Sequence, residues 1–149
     1  MKSLYNPADN QEIIARINQL RPDSPAQWGK MNVAQMLAHC QVPLQTAYGD
    51  IKLKRRFIGW LFGGMAKKKL STDKPWDKDM PTDPAFIMTG EHDFETERSK
   101  LIPLVQRFAE VGPDGITKDP HPFFGQLTSD EWDRLQWNHL NHHLGQFGV

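Results

Sequence analysis

The chain has 149 residues, with 18 Lys and Arg against 18 Asp and Glu, 38% hydrophobic and 24% charged. A formal net charge of zero gives no global field of the kind that draws a protein to nucleic acid, and the length suits one domain, 1–149, with a real core. The single cysteine, Cys40, excludes an internal disulfide, and no run reaches the roughly 18 apolar residues of a membrane span, so a cytoplasmic protein is expected.

In chain order, Asn6-Pro7 reads as an N-cap followed by a proline at the first helical position. Ile13, Ile14, Ile17 and Leu20 follow at helical spacing, so a first helix is predicted over 6–20. Prolines 22 and 25 break it, and Trp28 and Met31 read as core contacts. Asn32 with Gln35 forms a capping box that opens a second helix over 32–48, with Met36, Leu37, Cys40, Leu44 and Ala47 as its apolar stripe. Pro43 lies inside it and removes one backbone bond. Cys40 sits on the stripe, where a thiol is usually inert packing. His39 lies about 100° from the stripe's centre, which by spacing alone reads as an edge position.

Residues 52–70 hold seven of the 18 basic residues around an apolar stretch at 57–66. An amphipathic helix is expected there in spite of glycines 59, 63 and 64. Two readings stand: a helix docked on the bundle, or a patch for an acidic or lipid partner. Residues 71–92 carry prolines 75, 81 and 84 and read as a long surface loop, with Trp76, Phe86 and Met88 available to wall a pocket. A helix over 93–110 follows, with Pro103 within it and Gly112-Pro113 ending it. A tight aromatic loop then leads to Thr128 and Glu131, a second capping box. No segment alternates over strand length, so the chain reads as all-α.

The last helix, 128–146, carries His139, His142 and His143. At about 100° per residue from Trp132, His139 falls near 340°, His143 near 20° and His142 near 280°. His139 and His143 therefore share the middle of the inward stripe one turn apart, a spacing that lets two imidazoles reach one metal ion. Such a pair also arises by chance, but two unpaired imidazoles on an apolar face carry a desolvation cost.

The segments WGKMNVAQMLAHC (28–40) and HPFFGQLTSDEWDRLQWNHLNHHLGQFG (121–148) resemble the DinB/YfiT-like superfamily of metalloenzymes. The HPFFG, LTxxEW and HHLxQFG pieces look like an uncharacterised bacterial branch of it. The resemblance implies an up-down-down-up four-helix bundle, often a homodimer, with the 52–70 helix as an insertion. It also implies a divalent metal on three histidines, at positions His39, His139 and His143, and so raises His39 from an edge residue to a ligand. Many relatives carry Arg where this chain has Leu144, so no role for an arginine there carries over.

Three imidazoles alone leave metal positions open, the catalytic rather than the structural pattern. Zinc or nickel fits first, with copper, iron or manganese behind. Some relatives are transferases or isomerases dependent on a low-molecular-weight thiol such as bacillithiol, mycothiol or glutathione. The resemblance therefore implies a small-molecule substrate and a thiol S-transferase. A metal-dependent hydrolase and a non-catalytic binding module using the basic 52–69 segment are the competing readings. His142, His121 and His92 are the candidates for proton transfer or for orienting a ligand. Trp76, Phe86, Phe123 and Phe124, from the 71–92 and 112–127 loops, are expected to line a pocket for an apolar electrophile.

Overall fold

The structure is a computed structural model, which describes residues 2–54, 63–64, 67, 76–78 and 84–149. Among the described residues four α-helices have defined bounds: α1 (Pro7–Gln19), α2 (Val33–Ala47), α3 (Phe94–Val111) and α4 (Ser129–Gln146). Each starts at a side-chain cap. Asn6 accepts the Ala8 and Asp9 N–H groups ahead of Pro7, and Asp93 accepts that of Thr96. Asn32 with Gln35 and Thr128 with Glu131 close both halves of a capping box. α2 runs through Pro43 and α3 through Pro103.

Cross-links between helices fix their directions. Leu4 donates its N–H to Asp133 at 2.7 Å and Tyr5 its hydroxyl to the Ser129 carbonyl, while Arg16 reaches Asn141, so α1 and α4 run parallel. Gln41 bonds Glu97 at 2.7 Å and Tyr48 bonds the Leu104 carbonyl, so α2 and α3 run parallel. Asn10 donates to the Val105 carbonyl, while Tyr5 stacks on Phe108, which sets α1 antiparallel to α3. His39 meets His139, while Gln136 meets the Pro43 carbonyl, which sets α2 antiparallel to α4. The path is up-down-down-up, as the resemblance implied. Ile13, Ile17, Met36, Leu44, Phe108 and Leu140 lie at the centre of the shared core.

One end of the bundle gathers the C-termini of α1 and α4 with the N-termini of α2 and α3. The loop carrying Trp28 and the 3₁₀ turn Pro84–Phe86 lie at that end. At the other end Thr117 donates its N–H to the Ala47 carbonyl at 2.8 Å, and His121 pairs with Gly125 in an isolated bridge. The expected helix at 52–70 lies largely outside the described residues. Within it residues 52–54 are not helical, whereas Gly63, Gly64 and Lys67 are. Lys67 is engaged by the fold, pairing with Glu131 at 3.0 Å and donating to the Gln126 carbonyl at 2.7 Å. Among the described residues no helix is long and apolar enough to cross a membrane.

His121 is buried against Trp132 and Phe124, with ring centroids 5.2 and 4.8 Å away. Its Nδ1 accepts the N–H groups of Phe123 and Phe124, and burial pushes its pKa from 6.5 down to about 4. An unfolded chain therefore takes up this proton first as the pH falls. Stability is fully present above about pH 6.5 and is lost progressively down to about pH 4, by roughly 3 kcal/mol for this group. Urea unfolding at pH 7 and pH 4 should show a loss smaller by about that amount in His121→Asn than in the unsubstituted chain. Equal losses would show that His121 is charged in the fold.

Candidate metal centre

His39 lies two turns into α2 and faces His139 and His143 on the inner face of α4. The three rings sit edge to face or tilted, with centroids 4.6 to 4.9 Å apart. One potential ligand atom from each lies within 4.8 Å of the other two, and His39 Nε2 is 2.9 Å from His139 Nε2. Nitrogens bound to one tetrahedral zinc ion lie roughly 3.4 Å apart, so the three are at ligand-set spacing.

The outer edges of two rings are held in a way that determines what their inner edges offer. His39 Nδ1 lies 2.7 Å from the Phe86 carbonyl oxygen. A carbonyl only accepts, so the proton is on Nδ1 and the neutral ring turns a bare Nε2 lone pair inward. His143 Nδ1 lies 2.9 Å from Gln146 Oε1, and Gln146 Nε2 donates to the Trp28 carbonyl at 2.6 Å. The second bond orients the amide, so the first runs from Nδ1–H to Oε1, and His143 Nε2 is also bare. Gly29 makes this clasp possible: at φ 82°, it passes so close to Gln146 that a Cβ would collide with the amide. Hydrogen bonds of this outer kind accompany histidine metal ligands almost without exception.

Burial keeps the group uncharged. Desolvation depresses the pKa of His39, takes that of His143 down to about 3, and holds that of His139 well below its ordinary value. Neutral imidazoles are the form a metal needs. Among the described residues His139 Nδ1, which is buried, has no hydrogen-bond partner.

His142 stays outside the trio, as the helical angle indicated. Its ring faces Trp28 at 5.7 Å, Trp76 at 6.1 Å and His143 at 5.2 Å. Trp76 also approaches His139 at 6.0 Å, and Lys78 lies 4.5 Å above the Trp28 ring. His121 is not brought to this site. It packs beside Trp132, seven residues before His139 and so about 10 Å further along α4. Phe123 and Phe124 stay with it, so of the four aromatics expected around one pocket only Trp76 and Phe86 are here. His92 binds the Thr89 carbonyl and lies 3.6 Å from Glu97, away from the trio. Cys40 is buried beside Met36, and burial pushes its thiol pKa up, consistent with inert packing.

His39 is only 4% exposed, although its spacing placed it at the edge of the α2 stripe. Neighbouring segments, not its own helix, bury it. Sequence reading passed over Gln146, whose position three residues after His143 was a usable helical signal. The Phe86 and Trp28 carbonyls are backbone acceptors and leave no signal in side-chain type.

No curated protein and no solved structure matches this chain. A family model described as a protein of unknown function, DUF1569, matches residues 2–148. That match takes in both helices that bring the histidines together and both segments whose carbonyls hold them. The chain belongs to the DUF1569 family.

Proposed function

We propose that this chain is a metal-dependent enzyme in which His39, His139 and His143 bind one divalent metal through Nε2, and that it transfers a low-molecular-weight thiol to an apolar electrophile. The observation that carries the metal reading is the pair of outer bonds, His39 to Phe86 and His143 to Gln146, which leave both rings with bare Nε2 lone pairs in a close group with His139. The nitrogen-only set favours zinc or nickel over manganese, which prefers oxygen. Three protein ligands leave at least one position open. When bound, the metal lowers the pKa of a thiol or water that shares it.

The chain's own residues supply the surroundings. Trp28, Trp76 and Phe86 put aromatic surface beside the histidines, suited to an apolar electrophile, and Lys78 adds a positive charge at Trp28. Among the described residues no carboxylate or thiol joins the trio. The thiol itself rests on the resemblance to thiol-dependent relatives. A hydrolase is the second reading, and His142 favours it, since an imidazole beside His143 is placed to carry a proton.

Elemental analysis with chelator competition is expected to find one divalent metal per chain. His39→Ala, His139→Ala and His143→Ala should each weaken binding by more than the roughly 10- to 100-fold typical of losing an outer partner, with His142→Ala near the unsubstituted value. Metal loss in His142→Ala with retention in His143→Ala would invert the assignment.

A panel of low-molecular-weight thiols with monochlorobimane as electrophile tests the reaction, using zinc- or nickel-loaded protein and His139→Ala as control. Conjugation faster than the control with at least one thiol is expected. Rates equal to the control for all thiols would overturn the transferase, and turnover of esters or amides without thiol would establish the hydrolase.

A further inference from the structure

The inner stripe of α4 runs Trp132, Gln136, His139, His143, one residue for each successive turn. Among the described residues, the buried side-chain polar atoms that lack a partner are Trp132 Nε1, Gln136 Oε1 and His139 Nδ1. All three belong to this stripe, on neighbouring turns. Leaving such groups unpaired costs about 1–3 kcal/mol each, so their coincidence on one face calls for a cause.

The hydrogen-bond directions supply one. His39 Nδ1 donates to the Phe86 carbonyl, so His39 Nε2 is bare. His139 Nε2, 2.9 Å away, must then carry the proton between them, which leaves His139 Nδ1 a bare acceptor. Gln136 has no exposed surface, and its Nε2 donates to the Pro43 carbonyl at 3.2 Å, so its Oε1 is a second acceptor. Two acceptors on neighbouring turns cannot satisfy each other.

Were His139 to hold a metal through Nε2, its ring would carry the proton on Nδ1 instead, staying neutral with no net proton change. Nδ1 is then a donor, and Gln136 Oε1 is the unclaimed acceptor three residues back on the same face. Helical side chains lean toward the N-terminus, which carries the His139 ring toward the turn that holds Gln136. Oε1 has two lone pairs, so it can also take the Trp132 Nε1–H from four residues earlier. The two other histidines already have outer acceptors, in Phe86 and Gln146.

We propose that Gln136 is the positioning residue of the third ligand: its Oε1 accepts the His139 Nδ1–H when a metal is bound, and metal loading switches His139 from the Nε2–H to the Nδ1–H tautomer. No such bond is closed in the structure. This inference rests on the metal reading above.

The test compares the unsubstituted chain with Gln136→Leu, Gln136→Met and Gln136→Glu. Zinc affinity is measured by chelator competition, and the imidazole nitrogens by ¹⁵N NMR. Zinc-free Gln136→Leu is expected to fold, since an apolar side chain removes the unpaired Oε1, and Gln136→Met serves if Leu does not fit. Loss of the acceptor should weaken zinc binding about 10- to 100-fold, while Gln136→Glu, which keeps an acceptor, should restore it. In zinc-loaded protein a slowly exchanging His139 Nδ1–H should appear and vanish in Gln136→Leu, with the His39 and His143 Nδ1–H signals unchanged. A merely structural role would disturb all three rings together. Unchanged zinc affinity and an unchanged His139 signal in a folded Gln136→Leu would overturn the role of Gln136 alone. Zinc binding absent from the unsubstituted chain, or present equally in His139→Ala, would overturn the metal reading and this inference with it.

Discussion

Three imidazoles kept uncharged inside a helical bundle are a demanding arrangement, because each brings two polar nitrogens into a space closed to water. The bundle meets that demand from the outside inward. α4 contributes two of the rings from neighbouring turns, and its antiparallel contact with α2 contributes the third. Segments at one end of the bundle then cover the outer edges. Without the Phe86 carbonyl and the Gln146 amide, the outer nitrogens would be two more buried donors without acceptors, and nothing would direct the lone pairs inward. α1 and α3 provide the apolar mass against which α2 and α4 are held.

The helices were legible to within a residue or so because their signals are local. Asn6-Pro7 and the two capping boxes mark starts that depend on side chains a few residues apart. The register of α4 was legible for the same reason: a rotation of about 100° per residue put His139 and His143 on the inner stripe and His142 at its margin. His39 was different. Its burial comes from Phe86, 47 residues away, and from the rings of α4, which no windowed reading of α2 contains. The resemblance to a known superfamily supplied what spacing could not.

The expected pocket failed in an instructive way. It drew on the loops before and after α3, yet Phe86 lies at the end where α3 begins and His121 at the end where α3 finishes. His121, Phe123 and Phe124 accordingly pack against Trp132, while Trp76 and Phe86 stand beside the trio.

At Trp28 and Phe86 the peptide carbonyls and the side chains have separate tasks. The carbonyls fix two histidine tautomers, one directly and one through Gln146, while the aromatic rings face the space around the trio. A carbonyl is common to every amino acid. Replacing either residue can therefore change the aromatic surface beside the trio while the histidine tautomers keep their support, provided that the loop path past Gly29 is preserved. The fold thereby separates the identity of the side chains beside the histidines from the holding of the histidines themselves, so that two positions next to the trio are free to vary without rebuilding it.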